Sequence, residues 1–285
     1  NNVIMPSSVV SNKIFSVEWN QNVSMIQTQL LLPATKHFVF PDLRDLLSDK
    51  DREDYIHRTN PNQRIHTIAA CQYETTESLL KSVVDFSSSS KVLIVGGNKK
   101  TKNTMSSIEA ATILHNEKGI SIWGVTNPND RNSLDTFEKK LEIMDGFITQ
   151  PLLSSHAMNT MRLYRDCCTT QKKTILAGMA LPKTVRGLRF WAKLLLDKEL
   201  EKDSLFQSHL EYFSSPQQQP SLSWVEKELQ NLLGVGDDNN NCIVDGIHFM
   251  PLKNTKDLCT IFQSLNNHAH HHRSDDEGFG RFCRK

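Results

Sequence analysis

The sequence reads KVLIVGGN over Lys91–Asn98, four apolar residues in a row followed by two glycines and an amide. This stretch is one of eight short apolar runs, and helical segments separate most of them. The other seven runs are Ile14–Trp19, His37–Asp42, Arg64–Cys71, Ser121–Thr126, Gly146–Leu152, Lys173–Leu181 and Cys242–Met250. Strands that alternate with helices are typical of a parallel sheet. Eight such units in a chain of this length predict that the sheet closes into a barrel. We therefore expect an α/β protein with a single (β/α)8 TIM barrel.

The segments between the runs support this fold, because three of them have a one-sided apolar stripe at helical spacing. They are Ser106–His115, Leu134–Met144 and Leu188–Leu196. In the first, Ile108, Ala111, Leu114 and His115 fall on one side. Helices with one apolar face are expected in the outer layer of a barrel.

The connection between the seventh and eighth runs is unusually long. Glu199–Phe213 and Trp224–Leu233 have helical patterns, and the turn-rich stretch SSPQQQPS at Ser214–Ser221 separates them. We interpret this connection as an elaborated crossover before strand eight, because that strand must return to close the sheet. The expected organisation is a leader at 1–13, a catalytic barrel at 14–265 and a disordered His-rich tail at 266–285 that binds metal only adventitiously.

Composition narrows the class of protein. With 33 basic and 32 acidic residues the net charge is +1, which gives no electrostatic reason to expect nucleic acid or an anionic membrane as a partner. No apolar stretch approaches the roughly 20 residues that span a bilayer, and we expect a cytoplasmic protein whose oligomeric state stays open. The six cysteines form no C-x-x-C pair, so free thiols are expected and no metal site.

In a (β/α)8 barrel the chemistry lies at the carboxyl ends of the strands, so polar residues there are the candidates. Glu18 lies one residue before the end of the first run, where a carboxyl near the barrel mouth could have a raised pKa and act as an acid. A buried salt bridge or hydrogen bond is the alternative for Glu18. His66, in the third run, is either a satisfied core histidine or a residue that contacts a ligand.

Three further runs contain polar or flexible groups. Gly96-Gly97-Asn98 lets the backbone approach a ligand closely, but it matches neither a dinucleotide fingerprint nor a P-loop. Gln150 can donate and accept hydrogen bonds, which suits an amide-bearing heterocycle. Asp245 and His248 add polar groups to the eighth run. Ser154, ahead of Ser155-His156, is interpreted as a helix cap rather than a nucleophile.

Together these strand ends resemble the methylenetetrahydrofolate reductase family in order and approximate spacing, over roughly residues 13–265. The similarity is most specific at Ile148-Thr149-Gln150, at Ala177-Gly178-Met179 with the nearby Pro182, and at Gly246-Ile247-His248-Phe249. That family is a (β/α)8 barrel that holds FAD and reduces 5,10-methylenetetrahydrofolate to 5-methyltetrahydrofolate with NAD(P)H, in one-carbon and methionine metabolism.

The resemblance implies roles for individual residues. Glu18 would be the general acid that assists opening of the folate ring, and Gln150, Asn98 and His248 would bind the folate. The remaining roles concern the flavin. His66, Gly96, Gly97 and Asn98 would line FAD, and Lys139 would approach its phosphates. The implied mechanism is ping-pong: NAD(P)H reduces the flavin and leaves, and the folate then accepts the hydride.

The chain also departs from the family pattern. Gly96-Gly97-Asn98 stands where the family usually has Arg-Gly-Asp, so an arginine and a carboxylate are lost near the flavin. Phe40-Pro41-Asp42 replaces a glycine-rich loop after the second run. These changes leave a second hypothesis open, a non-catalytic barrel that binds folate or flavin and has a regulatory role. An unrelated barrel enzyme that acts on a small heterocycle is a third.

Overall fold

The structure is a computed structural model of the 285-residue chain. It describes residues 13–19, 35–41, 49–84, 86, 90–96, 104–118, 120–195, 197, 199–215, 220–234, 242–251 and 256–263. Gly97, Asn98, most of the predicted leader and the His-rich tail lie outside these residues, so their assignments stay predictions.

Eight parallel strands close into a barrel in chain order, and β8 pairs with both β7 and β1. The predicted (β/α)8 architecture is therefore confirmed. The strands are β1 (Ile14–Glu18), β2 (His37–Phe40), β3 (Arg64–Ala69), β4 (Lys91–Val95), β5 (Ser121–Thr126), β6 (Gly146–Pro151), β7 (Thr174–Ala180) and β8 (Gly246–Met250).

Helices follow the strands and form the outer layer. Their bounds are α1 (Asp49–Arg58), α2 (Thr76–Ser82), α3 (Ser107–Lys118), α4 (Ser133–Leu141), α5 (Ser155–Thr170), α6 (Val185–Leu195), α7 (Ser204–Ser214), α8 (Pro220–Leu233) and α9 (256–263). Short 3-10 turns lie at Pro61–Gln63, Ala70–Gln72 and Leu200–Lys202. Because α7 and α8 lie between α6 and β8, the elaborated crossover is confirmed.

Successive side chains of each strand point alternately toward the helices and into the barrel. Trp19, which directly follows β1, contacts Phe38 and the α1 residue Tyr55, so this side of β1 faces the helix layer. Ser16 and Glu18 lie on the opposite side of β1 and point inward. The apolar core therefore occupies mainly the space between sheet and helices, and polar groups enter the barrel itself.

Local sequence signals set the starts of several helices. Ser154 Oγ accepts a hydrogen bond from Ala157 N at 3.0 Å, so the predicted cap of α5 is confirmed. In α6 the predicted stripe of Leu188, Trp191 and Leu195 is buried.

Two details of the sequence interpretation were wrong. His115 is exposed, and Ala110 takes its place on the buried side of α3, because the helix packs on a slightly rotated face. Strand β8 begins at Gly246 rather than Cys242. Asp245 just before it pairs with Arg165 of α5 at 2.9 Å and accepts a hydrogen bond from Ile175 N at 2.9 Å. Asp245 therefore joins β7, β8 and α5 at the amino ends of the strands, and it does not belong to the site described below.

None of the helices in the described ranges is long and apolar enough to cross a membrane.

Candidate active site at the carboxyl end of the barrel

The centre of the barrel interior contains a hydrogen-bonded Ser–His pair. Ser16 of β1 is level with His37 on β2 and with His248 on β8. Ser16 Oγ lies 2.6 Å from His248 Nδ1, and only 3% of the His248 surface is exposed. Burial lowers the pKa of His248 to about 3, so this imidazole is neutral at physiological pH. With Nδ1 engaged by Ser16, Nε2 of the neutral ring is left to donate or to accept a hydrogen bond, according to the tautomer.

An aromatic side chain fills the space across the barrel from this pair. Trp123 of β5 lies against Gly146 of β6, where an added Cβ would come within 2.8 Å of the indole. The Trp123 ring also contacts the ring of His37, with centroids 5.7 Å apart. Burial, assisted by the charges of Lys91 and Lys36, lowers the pKa of His37 to about 4. Bulky side chains of this kind fill the barrel interior, so the reactive groups are expected at the carboxyl ends of the strands.

Glu18 is the last residue of β1 and points into the barrel two residues beyond Ser16. It is partly buried and forms no hydrogen bond or ion pair with any residue in the described ranges. Burial alone raises the pKa of the Glu18 carboxyl to about 7. A carboxyl with this pKa is close to half protonated at neutral pH and can give or take a proton.

Thr67 of β3 shares the interior with Glu18. In such barrels the side chains of one interior layer come from alternate strands. The strand pairing assigns one layer to the odd-numbered strands, with Glu18 on β1, Thr67 on β3, Val125 on β5 and Gly178 on β7. Thr67 Oγ1 is buried and has no hydrogen-bond partner among the described residues, and the same is true of His37 Nδ1. Buried polar atoms without partners are rare in folded proteins, and they indicate a place where a ligand or water binds.

Gln150 lies near the carboxyl end of β6, where the ladder to β7 is irregular. Thr149 Oγ1 accepts a hydrogen bond from Gly178 N at 2.9 Å and donates to Gln150 O at 2.9 Å. An added Cβ on Gly178 would lie 2.1 Å from Thr149 O, so glycine is required for this close approach. The Gln150 side chain is partly exposed and has no hydrogen bond to a described residue, so its amide is available at the strand end.

Gly96 directly follows β4 at the same end of the barrel. An added Cβ there would meet no heavy atom within 4 Å, so the space above this residue is open. Its carbonyl oxygen accepts a hydrogen bond from Cys71 N at 3.2 Å, which holds the ends of β3 and β4 together. The space on this side of the Gly96 backbone is open, and its contact with a ligand stays a prediction.

The structure does not bring His66 into this group. His66 is level with Phe40, which faces the helix layer. Its ring stacks on Phe86 at 4.6 Å and meets Tyr55 edge-on at 5.7 Å. Burial lowers the pKa of His66 to about 4. This placement sets the His66 ring among aromatic side chains of the helix layer, and its contact with a flavin stays a prediction.

Lys139 is exposed on α4, in the outer layer of helices. The next residue, Lys140, turns toward the barrel and donates from Nζ to Val125 O at 2.6 Å. Burial lowers the pKa of Lys140. No described contact ties Lys139 to the interior group, so its assignment to the flavin phosphates stays a prediction.

The sequence interpretation missed four interior residues, namely Ser16, His37, Thr67 and Trp123. A polar residue at alternate positions of an apolar run was the available signal for Ser16 and Thr67. Nothing local marked His37 or Trp123, because their contact joins strands that lie across the barrel. In the described part of the chain, no group of three or more His, Cys, Asp or Glu side chains could hold a metal ion.

Comparisons with known proteins identify the fold. No protein-family model and no curated protein matches this sequence. One similar solved structure is an uncharacterized protein from Clostridium thermocellum that binds two copies of 5-methyl-5,6,7,8-tetrahydrofolic acid. It is 13% identical, with a TM-score of 0.54 and coverage of 92% of this chain and 98% of that one.

Two other solved structures have a TM-score of 0.50. EDTA monooxygenase from Chelativorans sp. BNC1 is 8% identical, with coverage of 91% of this chain and 98% of that one. Concanavalin B is 7% identical, with coverage of 90% and 99%. At these identities the likeness concerns the fold alone, and the chain is a (β/α)8 barrel.

Proposed function

We propose that this protein is a flavin-dependent reductase of the methylenetetrahydrofolate reductase type. It would convert 5,10-methylenetetrahydrofolate to 5-methyltetrahydrofolate with NAD(P)H as the electron donor. The observation that carries the proposal is Glu18, an inward-pointing carboxyl at the mouth of the barrel whose pKa is raised by burial to about 7.

Opening of the five-membered ring of the folate needs a proton on the departing ring nitrogen. Glu18 can supply it, because near pH 7 a large fraction of its carboxyl is protonated and no described residue competes for that proton. The neutral His248, held by Ser16, lies on the neighbouring strand and would offer its other ring nitrogen for a hydrogen bond with a polar ring. Gln150 offers both a donor and an acceptor to the pterin edge.

The similarity of fold supports a folate as the ligand. The protein from Clostridium thermocellum, whose fold this chain shares, binds 5-methyl-5,6,7,8-tetrahydrofolic acid. Reduction of methylenetetrahydrofolate yields 5-methyltetrahydrofolate, so the proposed product is the same compound that the protein from Clostridium thermocellum binds. The two proteins share 13% of their residues, and the assignment of substrate is therefore our inference.

The described residues fit a flavin at the β3–β4 side of the mouth. Thr67 Oγ1 is a buried hydroxyl without a partner, and the space above Gly96 is open. These two residues would hold the ring system, Gly97 and Asn98 would extend the contact, and Lys139 would approach the phosphates. When bound, FAD supplies hydride transfer between NAD(P)H and the folate.

A non-catalytic folate- or flavin-binding barrel is the second candidate. It is favoured by the neutral residues after β4, where Gly96-Gly97-Asn98 provides neither an arginine nor a carboxylate. It is also favoured by His66, which packs against Phe86 and not at the mouth. The two candidates share a ligand site and differ in whether a reaction occurs there.

The experiment uses the full chain, incubated with FAD and freed of unbound cofactor by gel filtration. For the reductase we expect flavin absorbance in the protein fraction and bleaching on addition of NADH or NADPH without oxygen. Subsequent addition of methylenetetrahydrofolate should restore the absorbance. A colourless protein that binds 5-methyltetrahydrofolate in a calorimeter would support the non-catalytic candidate. If neither flavin nor folate binds, both candidates are wrong.

A further inference from the structure

A groove of about 790 Å³ lies on the outer wall of the barrel, between helices α5 and α8. Its inner end is formed by Cys242 and Ile243, which lead into β8. This volume lies within the range of roughly 300–1,000 Å³ that is usual for small-molecule sites. Glu18, Thr67, His248 and Gln150 do not line the groove, so it is distinct from the proposed folate site.

A buried carboxyl projects into this groove from α8. Glu228 lines the groove with only 6% of its surface exposed. It has no hydrogen bond or ion pair to any residue that the structure describes. Burial raises the pKa of Glu228 to about 7, against a smaller opposing effect of the Lys227 charge. The carboxyl oxygens of Glu228 are not among the fully buried polar atoms without a partner, so they open onto the groove and are accessible to a ligand.

The facing side of the groove carries a positive charge. Arg162 of α5 is exposed, and its Nη1 donates a hydrogen bond to Oδ1 of the neutral Asn159 at 2.8 Å. Within the described part of the chain the Arg162 guanidinium has no carboxylate partner. Arg165, one turn further along α5, is already paired with Asp245 at 2.9 Å. Arg162 is therefore the charged donor in the groove that is available to an anion.

The groove thus presents the Glu228 carboxyl on α8 and, on α5, the Arg162 guanidinium together with the Asp166 carboxylate. Met158 and Leu205, both partly buried, add apolar surface to the lining. We propose that this groove binds a short peptide or amino acid, with its ammonium group on Glu228, its carboxylate on Arg162 and an apolar side chain against Met158 and Leu205. A dipeptide suits the volume better than a single amino acid, which would leave much of the groove unfilled.

The test begins with the purified full chain and a dipeptide library in a thermal-shift assay. The best binder is then titrated calorimetrically against the wild type, Glu228→Gln and Arg162→Gln. We expect each substitution to weaken binding at least about tenfold, because each removes one charge-assisted hydrogen bond. The matched controls are Glu226→Gln on the same helix and Arg186→Gln on α6. Neither residue lines the groove, and both should stay within about twofold of the wild type.

Blocked peptides assign the two ends of the ligand. The N-acetylated form of the best binder should bind weakly and respond little to Glu228→Gln, while the C-terminal amide should respond little to Arg162→Gln. Arg162 is exposed, so its substitution keeps the test valid even if Glu228→Gln does not fold. The proposal is overturned if no dipeptide shifts the melting temperature, or if both substitutions leave the affinity of the best binder unchanged.

Discussion

Two carboxyl groups, Glu18 in the barrel mouth and Glu228 on the outer wall, have pKa values raised by burial to about 7. Neither has a hydrogen bond or ion pair in the described ranges. Glu18 has the Ser16–His248 pair and the unpartnered Thr67 hydroxyl in the same interior. Glu228 lies on α8 and faces a groove whose opposite side carries Arg162 and Asp166. Burial therefore sets the protonation of both carboxyl groups. Their neighbours differ, so the surroundings of Glu18 suit proton transfer and those of Glu228 suit binding alone.

The largest effect that separates the two regions should come from Glu18→Gln. If Glu18 is the acid, we expect this change to lower folate turnover by about 10²–10⁴, the usual contribution of general acid catalysis. Steady-state assays with NAD(P)H and methylenetetrahydrofolate measure it. Glu228→Gln should leave turnover unchanged, as should the exposed control Glu138→Gln. Equal losses in all three variants would remove the distinction between the regions.

Glu228→Gln should instead change the stability of the protein. A pKa raised from 4.5 to about 7 favours the protonated form in the folded state. The stabilisation from this group is therefore complete below pH 4.5 and is lost as pH rises through about 7. Glutamine mimics the protonated form, so the variant should exceed the wild type by up to about 3 kcal/mol at pH 8 and match it near pH 4.

Urea unfolding at the two pH values measures this difference, and Glu138→Gln serves as the exposed control. The burial of Glu228 would not be responsible if the variant and the wild type differed equally at pH 4 and pH 8.

The packing below Glu18 can be tested with two glycines. Gly146→Ala places a methyl group within 2.8 Å of the Trp123 indole, so we expect a loss of about 1–3 kcal/mol of unfolding free energy. Gly96→Ala should be close to neutral, because nothing lies within 4 Å of its added methyl group. Thermal and urea unfolding of both variants measure the difference. Equal stabilities would show that Trp123 does not fill the barrel in this way.

The smallest expected effect concerns the Ser16–His248 hydrogen bond. Ser16→Ala should cost about 1 kcal/mol, because it leaves a buried imidazole nitrogen without its partner. The ¹⁵N shifts of His248 should change with it, since the bond fixes the tautomer. Ser121→Ala is the matched control, because the hydroxyl of this inward serine forms no hydrogen bond with a described residue. Unaltered His248 shifts in Ser16→Ala would exclude the bond.

The fold was predictable because parallel strands covered on both faces read as short apolar runs, and all eight were recognisable. Glu18 was recognisable too, since it lies near the end of a run in which polar and apolar residues alternate. The direction of the His66 side chain was not recognisable. Side chains along a strand alternate with a period of two, so a shift of one position moves a side chain from the barrel interior to the helix layer. In the third run the inward residue is Thr67.

Contacts between distant segments left no local signal in the sequence. The ring contact of His37 with Trp123 joins β2 to β5 across the barrel. The groove around Glu228 arises where the elaborated crossover brings α8 opposite α5. Spacing along the chain predicts which face of a helix is apolar, but it does not specify which two helices leave a space between them.

The most direct test of Glu18 as the acid follows the two half-reactions separately by stopped-flow absorbance, in the wild type and in Glu18→Gln. We expect NAD(P)H to bleach the flavin at the same rate in both proteins. Methylenetetrahydrofolate should then restore the absorbance at least about 100-fold more slowly in the variant. Restoration at the wild-type rate would show that the proton comes from elsewhere and would contradict the assignment of Glu18.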